Sequence, residues 1–482
     1  MDLKAFVAKL DKARDLVRIK RPVSTKYEIA AIIDLVDKTT GQAVLFERVR
    51  GYGTPVIGNL LSHRRRFALA LGVAEDALRK EYSKRVKRRI KPKLVARGPL
   101  METIVERDVN ILKEVPVLTY RERDASPYFS SAVTVARDPV TGATGMGIYR
   151  IQVRGRNEVS LNFQNPPLTD FLRTAEAMGK ELEVAIVVGL DPLTFVASVF
   201  PVPPGTDRFD VAGGLHGKAV ELVKCRTIGV LVPAGAEFVL EGRVKPGLRV
   251  HEGPFGESGG TYHEGRNPVA TITAIMHRKK PIYQALLSYS GEDTTLLGLL
   301  LEVTLFESLR AEHPGIISVA LDKFNRSNLI VRMRKKDNGE PRKVLKQVLT
   351  SAPIVKTAMV VDEDIDPDDP CALGFAMGTR FQPKRGTVVI DETRSSSLDP
   401  SAVSTKSGRV SSKLGIDATR PLAAPKEKFE MVRMSKKMKA FAKAFEKQLK
   451  VEAARARLHG SVRRYDRPLD PVIDPAEWDA NR

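Results

Sequence analysis

Cysteine is almost missing from this chain: Cys225 and Cys371 are the only two in 482 residues. No CxxC or Cys/His cluster exists, so zinc sites of the usual spacing are excluded and a disulfide scaffold is not expected. Aromatic residues are scarce at 6 %, with a single tryptophan, and the seven histidines never form HExxH. No GxGxxG follows a strand. No apolar run approaches the roughly 20 residues of a membrane-spanning helix. The N-terminus carries charge every few residues, from Asp2 and Lys4 to Lys20 and Arg21, unlike a signal peptide. A cytoplasmic protein without a membrane span is therefore expected.

What is present looks globular. Hydrophobic residues make up 42 % and charged residues 28 %, with 35 glycines and 30 prolines spread along the chain. The length exceeds one ordinary core, which predicts two or three domains. Lysine and arginine outnumber acids by 79 − 58 = 21, in part through a basic run, Arg79 to Lys93, and a stretch from Lys426 to Arg457. Such a field suits a phosphorylated ligand, a membrane surface or nucleic acid. Without an RRM, KH or finger pattern, a solvated basic face is the better reading than nucleic-acid binding.

Periodicity divides the chain. Leu3, Phe6, Val7 and Leu10 make a helical stripe, and Ala43–Phe46 reads as a strand. Ser131–Ala136, Gly147–Val153, Glu183–Val188, Thr227–Leu231, Glu237–Leu240 and Val269–Ile275 read as strands separated by Gly/Pro turns, a barrel or sandwich-like pattern. Leu168–Met178 is a helix ending at Gly179, and Thr294–Glu312 is a long apolar helix stopped by Pro314 and Gly315. Met431, Met434, Met438, Phe441, Phe445 and Leu449 recur at helical steps, a stripe suited to packing between subunits. The expected class is α/β (α+β, multidomain): an N-terminal α/β domain over 1–105, a central strand-rich domain over 106–292, and a linker helix over 293–315. A C-terminal α/β domain over 316–425 and a terminal helix and tail over 426–482 complete it.

Two patterns fail as sites. The segment Ala212–Ala219 (AGGLHGKA) lacks the first glycine and final Ser/Thr of a phosphate loop. The acidic run Asp362–Asp366 lacks the glycine and distal Glu of a calcium loop, and reads as an exposed turn. The segment His251-Glu252-Gly253-Pro254-Phe255-Gly256-Glu257 carries more chemistry. Its glycines permit close backbone approach to a ligand, and Pro254-Phe255 supplies a stiff apolar wall. A carboxylate against such a wall can serve as a general acid, while one paired with an arginine stays ionised. From composition alone, two ordinary loop glutamates remain the better reading.

The neighbours change that balance. Arg18 to Val23 (RIKRPV), Gly147-Ile148-Tyr149-Arg150, Val220 to Cys225 (VELVKC), the segment just described, Asn267 to Gln284, Thr379 to Pro383 (TRFQP) and Ser411 to Thr419 (SSKLGIDAT) occur in this order. Together they closely resemble the UbiD family of decarboxylases, from about Leu16 to about Thr419. The resemblance implies a split β-barrel flavin domain, prenylated FMN supplied by a separate flavin prenyltransferase, and a homo-oligomer. It implies a reversible, non-oxidative decarboxylase of an aromatic or α,β-unsaturated carboxylic acid. By the same resemblance Arg150 positions the substrate carboxylate, Glu252 pairs with Arg150, and Glu257 donates the proton. Gly147, Ile148, Tyr149, Ala197, Ser198 and Lys413 fall at cofactor-binding positions, Lys413 toward the flavin phosphate.

Family members hold that phosphate through a divalent ion, manganese or magnesium, with potassium nearby. Here the Asn ligand position is Gly145, the His region reads Asn162 to Pro167 without histidine, and Asp207 is only an offset candidate for the Glu. Arg208 could neutralise the phosphate instead. The positive field makes a phosphorylated acid a candidate substrate, with anhydromevalonate phosphate and a polyprenyl hydroxybenzoate as examples. The competing expectation is a non-catalytic flavin-binding or assembly subunit of a carboxylase complex.

Overall fold

Asp2 starts the first helix, Leu3–Lys12, its carboxylate accepting from the Ala5 amide at 2.9 Å. Leu3, Phe6, Val7 and Leu10 are all buried, as their spacing predicts. The computed structural model describes residues 1–203, 205–322, 326–406, 408–446, 448–449 and 451–452. Residues up to Ala424 form one compact unit and a second begins at Pro425. No helix among the described residues is long and apolar enough to cross a membrane.

The N-terminal sheet orders Leu16–Ile19, Ala43–Phe46, Val56–Gly58 and Tyr283–Gln284, so its last strand arrives from far along the chain. The central sheet is larger and curls into a half-barrel. Its path runs Tyr128–Phe129, Ile151–Val153, Glu158–Leu161, Tyr262–His277, Phe238–Gly256, Leu182–Val188, Val133–Arg137 and Thr144–Ile148. The long antiparallel pair Phe238–Gly256 and Tyr262–His277 is its spine. The expected strand Gly147–Val153 is in fact two, Thr144–Ile148 and Ile151–Val153, which lie toward opposite ends of the sheet path. Tyr149 and Arg150 form the crossing between them. Thr227–Leu231 likewise contributes only Leu231 to a strand, Leu231–Pro233.

Helix Gly291–Glu312 leads into the C-terminal sheet, ordered Ile316–Leu321, Asn328–Met333, Thr357–Asp362, Gly408–Ala418 and Thr387–Arg394. Helix Glu340–Ser351 covers it with Val344, Leu345, Val348 and Leu349 against Val331, Val360 and Val388.

Two expectations about surface features change. The acidic run is no free turn: Asp362 and Asp364 clamp the fully buried Arg380 at 2.6 and 2.7 Å, because a buried guanidinium must be met by carboxylates. The basic run is only partly solvated. Arg79 lies over the Phe306 ring at 3.8 Å and donates to Ile317 O, and Arg85 donates to Leu71 O. The paired glycines Gly213 and Gly214 sit in helix Arg208–His216 against the Arg85–Ile90 backbone, where a β-carbon would strike carbonyl oxygens. In the second unit the Met/Phe stripe is helical over Lys436–Lys443, begun by Ser435, whose hydroxyl accepts from Met438 N at 3.2 Å. Met431 and Met434 precede that helix, and residues 453–482 of the expected tail lie outside the described residues.

One junction is titratable. Glu292, buried in the first turn of the Gly291–Glu312 helix, accepts from Leu61 N at 2.8 Å. Burial pushes its carboxyl up to about 8. Because the folded-state value is raised, the proton's contribution to stability is complete below the ordinary carboxylate range. It is lost as pH rises through about 8. Thermal denaturation from about pH 5 to about pH 9 should show that loss, and Glu292→Gln should flatten it. At the alkaline end the variant should gain on the order of 1–3 kcal/mol, the cost of an unsatisfied buried polar group. Identical slopes for both proteins would remove Glu292 from this role.

Candidate active site

Two side chains five positions apart on a strand point to opposite faces. Glu252 and Glu257 nevertheless reach the same guanidinium, and the register explains how. Glu252 pairs with Gly265 and Phe255 with His263, so one extra residue is inserted into the strand Phe238–Gly256 at this point. The bulge reverses the parity and turns both acids to one side. The motif is thus a bulged strand end with Glu257 just beyond it, rather than the isolated turn its glycines suggest. Gly253 has φ +105°, and a β-carbon there would meet His263 O at 2.7 Å, so the bulge requires glycine. The loop before Tyr128 clasps it. Asp124 accepts from Gly256 N at 3.0 Å, and Ala125 N donates to Pro254 O at 2.9 Å.

Arg150 comes to the bulge from the strand crossing. Its Nε donates to Glu252 Oε1 at 3.1 Å and its Nη2 to Glu252 Oε2 at 2.6 Å, a fork-to-fork pair. Its Nη1 donates to Glu257 Oε1. The three side chains are 6, 1 and 15 % exposed for Arg150, Glu252 and Glu257, so only Glu257 retains appreciable access. Burial alone would lower the Arg150 value, but the two carboxylates outweigh it and the net direction is upward. Asn267 Nδ2 donates to Glu252 Oε2 at 2.7 Å and fixes that acid from the partner strand. Burial, with the Glu252 charge beside it, pushes the Tyr128 phenol up. Phe255 is the expected apolar wall: its ring is 4.4 Å from that of Tyr128 and 5.8 Å from the Arg150 guanidinium carbon.

A cavity of about 1060 Å³ opens on this group. Ile148, Tyr149, Arg150, Phe255 and Glu257 line it on the barrel side, and Arg394, Ser395–Leu398 and Arg409 line it from the C-terminal sheet. Among the expected cofactor contacts, Ile148 and Tyr149 reach the cavity, and Gly147 lies next to them under the Tyr149 ring. Ala197 and Ser198 end the helix Pro192–Ala197 without lining the cavity; the next residue, Val199, does line it. Lys413 is a correction. Its ammonium is buried, donates to Leu349 O and Ala352 O at 2.9 and 3.0 Å, and does not line the cavity. A buried ammonium needs acceptors, and here the end of helix Glu340–Ser351 supplies them.

The expected metal ligand Asp207 is also occupied otherwise: it caps helix Arg208–His216 by accepting from Phe209 N at 2.8 Å. No three His, Cys, Asp or Glu converge on a metal geometry among the described residues. Gly145 explains part of this. A side chain there would run into Pro167 and the Phe171 ring, at 2.8 and 2.9 Å from the β-carbon. The residues present therefore do not fit the divalent ion. Arg208 makes no ion pair among the described residues; its Nε and Nη1 donate to Phe200 O and Met146 O, both at 2.8 Å.

A curled half-barrel flanked by α/β layers carries a buried carboxylate–guanidinium–carboxylate group facing a large cavity. Family models along the chain make it a carboxy-lyase. The 3-octaprenyl-4-hydroxybenzoate carboxy-lyase N-terminal domain matches residues 7–86, its Rift-related domain 93–290, and its C-terminal domain 294–418. The chain belongs to the UbiD family of carboxy-lyases. The UbiD-class enzyme HmfF from Pelotomaculum thermopropionicum, solved with FMN, is 34 % identical with TM-score 0.85, over 90 % of this chain and 97 % of that one. The 3,4-dihydroxybenzoic acid decarboxylase AroY of Klebsiella pneumoniae is 28 % identical with TM-score 0.83, over the same shares. An uncharacterized protein of Archaeoglobus fulgidus is 31 % identical over 452 residues, 87 % of this chain and 92 % of that one.

Restoring the missing asparagine tests the close packing at Gly145. Gly145→Asn should gain no metal and should lose about 1–3 kcal/mol through overpacking against Phe171 and Pro167. Thermal denaturation and metal analysis read both effects. A stable variant that binds manganese would mean the space is not closed.

Proposed function

We propose that this chain is a non-oxidative, reversible decarboxylase of an aromatic or α,β-unsaturated carboxylic acid, working with prenylated FMN in a homo-oligomer. The observation that carries the reading is Arg150 held between Glu252 and Glu257 at the cavity wall. Solved relatives carry FMN and prenylated FMN. At about 1060 Å³ the cavity reaches the upper end of ligand sites, roughly 300–1,000 Å³. The Asn162 side-chain oxygen is buried without a partner on a residue lining it, an acceptor left for a ligand donor. Ile148, Tyr149 and Asn162 would hold the flavin.

The bound prenylated flavin supplies an electron sink for the pair released as CO2 leaves. The chain does the rest. Glu252, fixed by Asn267, holds the guanidinium in one orientation, and Arg150 then places the substrate carboxylate. Glu257, the more accessible acid, takes up a proton from solvent when the substrate carboxylate replaces it at Arg150, and gives that proton to the carbon left behind. Phe255 keeps water from the reacting face. Arg208, beside Tyr149, would supply a fixed positive charge toward the cofactor phosphate. A second reading, a flavin-binding or assembly subunit without turnover, draws on the altered ligand positions around Gly145.

The deciding assay is CO2 release from a panel of unsaturated acids by protein co-expressed with a flavin prenyltransferase. Glu257→Gln should retain the flavin spectrum and lose roughly 10²–10⁴-fold in turnover, as for removal of a general acid. Undiminished turnover would take Glu257 out of its role, and flavin without any CO2 release would favour the subunit reading. Metal analysis of the holoprotein should find substoichiometric manganese and magnesium. A full equivalent of either would refute the ion-free site.

A further inference from the structure

The wall opposite Arg150 has its own chemistry, and the reading above leaves it unused. Strand Thr387–Arg394 ends at the cavity, and Ser395, Ser396 and Ser397 follow along its rim. The loop is pressed on the turn after Glu257: a β-carbon on Gly259 would lie 2.8 Å from Leu398 O. Arg409 crosses behind, its Nη1 donating to Ser397 O at 3.0 Å. Arg409 also acts electrostatically on His263, together with Glu257 and Arg150. Arg394, Ser395–Ser397 and Arg409 thus line the same cavity as Arg150 and Glu257.

The charges around the cavity do not cancel on this side. Arg150 is met by Glu252 and Glu257. Asp293 is met by Arg326 at 2.7 Å, and Glu264 lies 3.7 Å from His251. Asp399, in the same loop, is taken by Lys356 at 3.0 Å. Arg394 and Arg409 have no carboxylate in ion-pair contact among the described residues, and both line the cavity. The Ser396 oxygen accepts from Leu398 N at 3.2 Å, which leaves its proton to donate. Two guanidinium groups and the Ser396 hydroxyl on one wall match a carboxylate or a phosphate.

We infer that Arg394 and Arg409 form a second anion subsite, so that the acid decarboxylated here carries another anionic group, a carboxylate or a phosphate monoester. This rests on the proposed decarboxylase reading. Arg150 takes the carboxylate that is lost, and the opposite wall takes the group that stays. Discrimination against mono-acids then comes from two unpaired guanidinium groups rather than from cavity shape.

The test uses full-length protein loaded with FMN, with flavin fluorescence and absorbance as readouts. Benzoate, benzene-1,4-dicarboxylate and 4-phosphooxybenzoate serve as matched mono- and polyanionic probes. The better dianion should bind at least about tenfold tighter than benzoate. In Arg394→Gln/Arg409→Gln that preference should fall to near unity, with benzoate and FMN affinities held. A preference for the phosphate ester over the dicarboxylate would assign the subsite to phosphate, and the reverse to carboxylate. No preference in the natural protein, or a preference that survives the double substitution, overturns the inference. Release of FMN by the double variant also overturns it, by giving these arginines to the cofactor phosphate. Failure of the natural chain to take up any flavin would instead sink the decarboxylase reading, and this inference with it.

Discussion

A guanidinium taken out of water must be met by carboxylates, and Arg150 is met by two. Removing one partner of such a group leaves a buried charge uncompensated, at a cost of about 3–5 kcal/mol. Replacing the whole group by apolar side chains would often cost nothing. A triad kept at the mouth of a large cavity therefore speaks for chemistry more than for stability. Much of the nearby architecture serves to bring these three residues together. The chain breaks between two strands to present Arg150, bulges at Gly253 to align the acids, and places Asn267 opposite to hold Glu252.

The bulge links local structure to chemistry. Without one extra residue, Glu252 and Glu257 would face opposite sides of the sheet. Gly253 makes the insertion possible through its positive φ, and Asp124 ties down the amide of Gly256. The acids end up unequal: Glu252 is sealed and doubly held, while Glu257 borders the cavity. Two carboxylates of one network thus sit in different environments, one sealed and one bordering the cavity.

Around that centre, space and charge are set by close packing and by arginines. Gly145 and its neighbours Pro167 and Phe171 close the space that an asparagine ligand would need, and Asp207 is spent on a helix cap. Arginines stand nearby instead, Arg208 beside Tyr149 and Arg394 with Arg409 on the opposite wall. Fixed guanidinium groups give directional hydrogen bonds as well as charge.

Family, fold class and the acid–arginine–acid residues were legible in the chain, because ordered motifs and alternating apolar residues survive without coordinates. Leu3, Phe6, Val7 and Leu10, or the helix ending at Gly179, needed only periodicity and a cap residue. Other features depended on contacts between distant segments. Lys413 looked like a phosphate ligand until the carbonyls of Leu349 and Ala352 claimed it. Asp362 and Asp364 looked exposed until Arg380 was found buried between them. Arg394 and Arg409 carried no signal at all, since an arginine's meaning lies in which acids it lacks. Sequence determines which groups exist and how often they recur along the backbone. Only the tertiary structure decides which charges meet, because pairing depends on distances in space that spacing along the chain does not record.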